Sequence, residues 1–423
     1  MDKKKIIISI AAVMTAIAGL HAQVRYSYEP LSSRQQTDIQ NDMFINNVQS
    51  FLMNDRIVLG PVNLTNIVNM VSYNPVEGTR IRLSAETNNS LFAKNKLLRN
   101  RLLFSGKIAY GTRDNKIKYG ASAAYNFAKK PQGVYSFPCS TLSVNWEDDT
   151  YMPSYPDYDV AYFSFGEWDR FYFARKRQFT IQFLKEFQSA FAICPYFYWQ
   201  KTVSYMLYDS AVEKELLDNN YDFINKAAGA EISYTPGRKS SSLFDIFNSR
   251  FYTFNTQIKV NISYNVQSYI NYYEYSKAEL TAQKRFLFLP LALDIRVVCG
   301  KIFGNSDPYM YFTPNYALAV VSNMYGFNLY LPADNMYKEY MQTFTQLNFG
   351  GVLLDNIKAL KKNRPNGFVN FKSLIMDSED FYAETGAGID HIFGFLGFEI
   401  VKKLSGKDVY GSAEWGFKIR CSL

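Results

Sequence analysis

Residues 411–423, GSAEWGFKIRCSL, decide how the rest of the chain is read. At the two-residue period of a β-strand, Trp415, Phe417, Ile419, Cys421 and Leu423 fall on one side. Glu414, Gly416, Lys418, Arg420 and Ser422 fall on the other. An apolar face that runs to the last residue, backed by a charged one, suits a strand with lipid outside and a polar lumen inside. The half-buried sheet of a soluble protein alternates too, so strand length has to separate the two cases.

Working back from this strand, alternation persists to Gly78. It is clearest over 254–267, where Phe254, Ile258, Val260, Ile262, Tyr264 and Val266 alternate with polar residues and only Thr256 breaks the apolar face. Such a run exceeds the ~5–6 residues of an ordinary globular strand and covers the ~9–11 that a tilted membrane strand needs. Similar ribbons occur at 80–89, 102–111, 116–127, 141–147, 172–188, 191–205, 226–234, 273–287, 289–303, 310–321, 341–353, 367–375, 381–389 and 393–404. The sequence therefore predicts an all-β fold, one antiparallel transmembrane β-barrel of about 14–16 strands over residues 78–423. The tight connection Thr112-Arg113-Asp114-Asn115 reads as a periplasmic turn. The stretches 148–169 and 209–225 read as surface loops, the second with a short helix begun by Ser210 and Glu213 in capping-box spacing.

Lys3, Lys4 and Lys5 ahead of an apolar run from Ile6 to Leu20, then His21-Ala22 before Gln23, predict a signal peptide over 1–22. No Cys follows the cut, so no lipoprotein anchor is expected, and no later apolar run approaches the ~20 residues of a spanning helix. Residues 23–77 are expected to form a periplasmic helical segment and lead-in. Its helix, over 33–55, is capped by Ser33 and Gln36 and carries Ile39, Met43, Phe44, Val48, Phe51 and Leu52 on one face. That face either packs on the periplasmic mouth or plugs the barrel.

The net charge of +8 falls to about +6 without the signal segment and is spread along the chain, so nucleic acid is not implied as a partner. Cysteines at 139, 194, 299 and 421 are too scattered for a disulfide framework and read as unpaired small apolar residues. Aromatic residues at 17% with a mean hydropathy of −0.20 fit aromatic girdles over strands that are polar inside and apolar outside.

Asn74-Pro75-Val76-Glu77-Gly78 has turn chemistry throughout. Glu77 with Arg80 and Arg82 is either a structural ion cluster or a lumenal group that selects solutes. Lys107, Lys116, Lys118, Lys259, Lys418 and Arg420 fall on the predicted lumen face, with Glu86, Glu147 and Glu414 as partners. They form either a basic, anion-favouring lumen or a cross-linked network that fills it. The basic stretch 355–364 faces lipid headgroups or is a solvated connector. After cleavage one histidine remains, His391, in a Gly-rich turn, with no G-x-S-x-G elbow and no metal-ligand spacing. Tyr382 and Glu384 read as strand residues at the lumen and rim. No catalytic site, metal or cofactor is expected.

Residues 71–89, VSYNPVEGTRIRLSAETNN, with Ile108-Ala109-Tyr110-Gly111-Thr112 and 116–119, resemble the start of the barrel in a Bacteroidota outer-membrane family of unknown function. The runs at 300–304, at 349–362 (FGGVLLDNIKALKK), Tyr382-Ala383-Glu384 and 388–393 follow in the family's order. That family usually carries a carboxypeptidase-regulatory-like domain ahead of its barrel. Here the domain is expected to be absent, because 23–77 holds about 55 residues against the ~100 of a typical domain. The chain also ends on Leu423 where an aromatic residue is often found. The resemblance implies the outer membrane of a diderm bacterium, with outer-membrane lipid, the insertion machinery during assembly and an envelope protein as partners. The implied role is solute transport or envelope biogenesis. The alternatives are a filled structural or ligand-binding barrel acting through its surface loops, and a membrane-embedded hydrolase that depends on His391.

Overall fold

The structure is a computed structural model that describes the strands and shorter connections between residues 56 and 421. Residues 1–55, 152–172, 206–222, 237–255, 267–272, 350–365, 406–413 and 422–423, with stretches of six residues or fewer elsewhere, lie outside the described residues. The signal segment, the helix expected over 33–55, most of the two expected loops and the basic stretch 355–364 fall there.

The first strands are β1 (Arg56–Leu59), β2 (Val62–Thr65), β3 (Val71–Asn74), β4 (Gly78–Thr87), β5 (Leu102–Gly111), β6 (Ile117–Asn126) and β7 (Ser140–Tyr151). Next come β8 (Phe173–Glu186), β9 (Phe191–Tyr205), β10 (Phe223–Tyr234), β11 (Thr256–Asn265), β12 (Glu274–Phe288) and β13 (Leu291–Asn305). The chain closes with β14 (Val321–Ser322), β15 (Glu339–Asn348), β16 (Asn366–Met376), β17 (Asp380–Ile392), β18 (Leu396–Ser405) and β19 (Trp415–Cys421).

From β4 to β13 each strand pairs antiparallel with the next, β13 passes to β15, and the meander continues to β19. β2 and β3 lie one after the other along β4, the first opposite Ser84 to Thr87 and the second opposite Gly78 to Ile81, and so share one wall position. β1 folds back on β2 through Gly60, whose φ of +60° a residue with a Cβ rarely adopts. Among the described residues the wall therefore has sixteen positions, an even number as in bacterial barrels.

Burial along the wall is inverted relative to a soluble protein. In β4, Arg80 and Arg82 are 1% and 4% exposed while Ile81 and Leu83, which alternate with them, are 55% and 45% exposed. β16 repeats this, with Asn370 and Lys372 buried and Val369 and Phe371 exposed. Each of those outward side chains gains ~1.5–3 kcal/mol only where an apolar medium meets it. From β4 to β19 the ladders run without a break and leave few N–H and C=O groups of those strands to be solvated, as a strand in lipid requires.

Three expectations are corrected. The described residues of 310–321 are not a wall strand: Phe312 makes only an isolated bridge to Tyr337 and is buried inside the barrel. Their apolar spacing serves contacts within the lumen. β2 and β3 take the vacated place in the count, so the wall begins before Gly78. The turn at 112–116 and the ends of β7 and β9, from which 152–172 and 206–222 leave, are separated by even numbers of strands and lie at one rim, not two. The same rim holds the long connection 306–338, so it is the loop rim, and Thr112-Arg113-Asp114-Asn115 is a tight turn on it. His391 lies inside β17 and not in a turn.

Candidate functional site in the barrel lumen

The lumen divides into two sectors. In the first, β4 to β7 present polar inward positions, and a charge network begins at the turn between β3 and β4. The Asn74 side chain accepts from the N–H groups of Val76 and Glu77 (3.1 and 2.8 Å) and donates to the Glu77 carboxylate (2.6 Å), which fixes that carboxylate inside the wall. Arg80 spans Glu77 (3.2 Å) and Asp149 (2.8 Å); Lys118 meets Glu77 (2.6 Å) and Asp114 (2.5 Å). Lys107 joins Asp149 (2.6 Å) to Glu147 (2.5 Å). These bonds tie β4, β5, β6 and β7 to one another and to two loop-rim turns.

In the second sector the lumen holds part of the chain itself. The connection between β13 and β15 enters the barrel, and its described residues meet inward side chains of β12, β13, β15, β16, β17 and β18 and lie against β19 at Gly416. Phe327, fully buried, packs on Phe344 of β15 and Tyr382 of β17, with ring centroids 5.2 and 5.6 Å away. Phe312 lies 4.7 Å from the Tyr340 ring, and Lys277 caps its face at 4.1 Å while donating to the Met310 carbonyl. A Cβ at Gly300 would fall 2.6 Å from Phe312, so β13 needs glycine there for the segment to enter.

Polar groups of the wall grip the backbone of this segment. The Glu384 carboxylate accepts from the N–H groups of Asn328 (2.7 Å) and Leu329 (2.9 Å) and from the Tyr382 hydroxyl (2.9 Å). Lys372 donates to the Gly326 carbonyl at 2.6 Å and lies 3.5 Å from Glu384. Glu399 accepts from Ser322, from Asn370 (2.7 Å) and from Asn328 (3.1 Å). Val321 and Ser322, as β14, pair in parallel with Ile419 and Arg420 of β19. Arg420 also reaches Asp390 (3.2 Å) and stacks on Phe368 (4.2 Å). Charge-assisted bonds of this kind are about twice as strong as neutral ones, and removing one partner leaves a buried group without compensation.

The residues expected from sequence are split by this arrangement. Glu77, Arg80, Lys107 and Lys118 meet in the first sector and Arg420 in the second; Arg82 and Lys418 are buried on the lumen face. Lys259 pairs with Glu231 of the neighbouring β10 at 2.8 Å. Lys116 and Glu414 depart from expectation: both are exposed, one in the turn before β6 and the other just ahead of β19, where strand alternation no longer orients a side chain. Asp149, Lys372 and Glu399 carry no site signal in the sequence, where Asp114 reads only as a turn residue and 310–321 only as a strand. Glu384 reads in the sequence only as a strand residue. Among the described residues no group of three or more His, Cys, Asp and Glu could hold a metal ion.

No protein-family model matches this chain, and no curated protein matches it. Among solved structures, BamA from Haemophilus ducreyi lacking POTRA domains 1–3 superposes over 82% of this chain and 68% of its own, with a TM-score of 0.52 and 7% identity. The likeness is one of fold. CdiB from Acinetobacter baumannii (TM-score 0.41, 12% identity) and from Escherichia coli (0.42, 8%) align over 85% of this chain. This chain spans 60% and 62% of those two.

Proposed function

We propose that this protein is an integral outer-membrane β-barrel of transport or envelope biogenesis, and that it rests with its lumen filled by the inserted residues 310–315, 321–322 and 324–330. The observation that carries the reading is the Glu384 clamp. Two consecutive backbone amides of a segment without regular structure are held by one buried carboxylate, itself seated by Tyr382 and Lys372. A barrel that conducts small solutes at all times has no use for a bound strap across its polar interior, whereas one that opens on demand needs a strap whose release is local. The inverted burial of the wall supports membrane insertion, and the BamA-like fold supports the outer membrane as its location.

The test is fractionation of expressing cells together with heat-modifiable gel migration and planar-bilayer recording of the purified protein. The reading expects the protein in the outer-membrane fraction, faster migration before boiling than after, and a quiet baseline. Steady, large conductance from folded wild-type protein would replace it with an open pore.

A further inference from the structure

One charged cluster faces away from the lumen. In β7 the inward residues are Glu147 and Asp149, both bonded to Lys107, so Asp148 between them points to the outer wall, on the face that carries exposed Leu142. It is nonetheless only 1% exposed, because two arginines of β8 enclose it. Arg175 meets it through Nε (2.5 Å) and a terminal nitrogen (3.0 Å), and Arg177 through Nε alone (2.9 Å). Arg175 and Arg177 share the outward parity of Ile181, which is exposed, while Lys176 between them turns inward toward Glu147. Lys201 of β9 stands directly opposite Arg177 and, by the same parity, beside exposed Phe197 and Val203 on the outer face.

The height of the cluster on the wall is also fixed. Asp148 lies three residues before the end of β7, at the loop rim. Two residues toward the membrane centre, about 7 Å along the strand, Trp146, Phe179 and Trp199 sit across from one another, and the two indoles stack at 6.2 Å and 8°. Aromatic rings in such a row mark the level of the headgroups. Among the described residues, three bases, Arg175, Arg177 and Lys201, stand with Asp148 just above it, where the wall leaves hydrocarbon. The Arg177 side chain remains 45% exposed beyond its one bond to Asp148.

We propose that Arg175, Arg177 and Lys201 form a site on the outer wall for the phosphate of an anionic lipid headgroup in the leaflet at the loop rim. Asp148 sets the pitch of the two guanidinium groups and keeps Arg175 from folding away. The flat forks then meet phosphate oxygens, Lys201 adds a point charge, and the Trp row below packs on the acyl chains. This inference rests on the membrane-barrel reading but not on the filled lumen.

The experiment is native mass spectrometry of the detergent-purified full chain with diphosphoryl lipid A and with the same lipid after phosphatase treatment. Arg177→Gln/Lys201→Gln leaves Arg175 to hold Asp148. It is expected to retain the phosphorylated lipid roughly tenfold more weakly than wild type, with the dephosphorylated lipid bound weakly and equally by both. Equal retention of the phosphorylated lipid by both folded proteins would overturn the proposal, as would displacement of that lipid by millimolar inorganic phosphate. If the double variant does not fold, Lys201→Gln alone is read the same way, with a smaller loss expected and equal retention again against it. Failure of wild type to show heat-modifiable migration would count against the barrel itself and not against this site.

Discussion

The two lumenal sectors contain the same kinds of residues and use them differently. Between β4 and β7, acids and bases bind one another, so wall holds wall: Arg80 to Asp149, Lys107 to Glu147, Lys118 to Glu77. Between β15 and β19, Lys372, Glu384 and Glu399 spend much of their bonding on the inserted segment, so wall holds guest. The inward neighbours differ accordingly. The first sector is lined by Ser84, Thr141, Ser143 and Asn145, the second by Tyr340, Phe344, Phe368, Leu374 and Tyr382. A charged inward residue is a brace where its neighbours are polar and a clamp where they are aromatic.

The largest effect expected is from Glu384→Ala, which strips two segment amides of their acceptor and leaves the Lys372 ammonium buried beside them. A loss of about 3–5 kcal/mol, read as a fall in the unfolding midpoint, is expected together with protease sensitivity of the segment. Unchanged protection of the segment would erase the distinction between clamp and brace. Phe327→Ala, which empties the aromatic socket, is expected to cost about 3–5 kcal/mol at most and to release the same segment. Arg80→Ala should cost less, about 1–3 kcal/mol, because Lys107 and Lys118 still cover Asp149 and Glu77, and the segment should stay protected. Gly416→Ala places a Cβ 2.5 Å from the end of the Leu329 side chain; about 1 kcal/mol is expected, and a double-mutant cycle with Leu329→Ala should show coupling. The smallest effect is that of Lys301→Ala, whose pair with Glu339 is about half exposed on both sides and is worth ~0–1 kcal/mol.

Much of the wall was legible because lipid imposes a period on the sequence. The ribbons at 102–111 and 191–205 coincide with β5 and β9 to the residue, and outward Ile81 and Leu83 declare themselves by type. The failures have physical causes. Within 310–321, Met310, Tyr311 and Phe312 belong to a cluster inside the barrel, and period alone does not tell an inner surface from an outer one. β2 and β3 show no ribbon in the sequence because each is only four residues long and residues 66–70 separate them. The members of the charge network were partly visible, since alternation puts Arg80, Lys107 and Lys118 inside. Which acid each one meets depends on contacts as far apart in the chain as Arg80 and Asp149, 69 positions, which no local pattern encodes. The clamp was hidden for a different reason: Glu384 binds backbone amides, and these carry no signature in the partner's sequence. The one available sign was the apolar character of inward positions such as Phe344, Leu374 and Tyr382, which would be misplaced in a water-filled lumen.

The most direct test of the filled-lumen account is single-channel recording of Glu384→Ala beside Arg80→Ala and wild type, each first shown to be folded. The account predicts a quiet wild type, a quiet Arg80→Ala and frequent openings in Glu384→Ala. Openings of equal size and frequency in all three would contradict it, because the segment held by Glu384 would then have no part in closing the lumen.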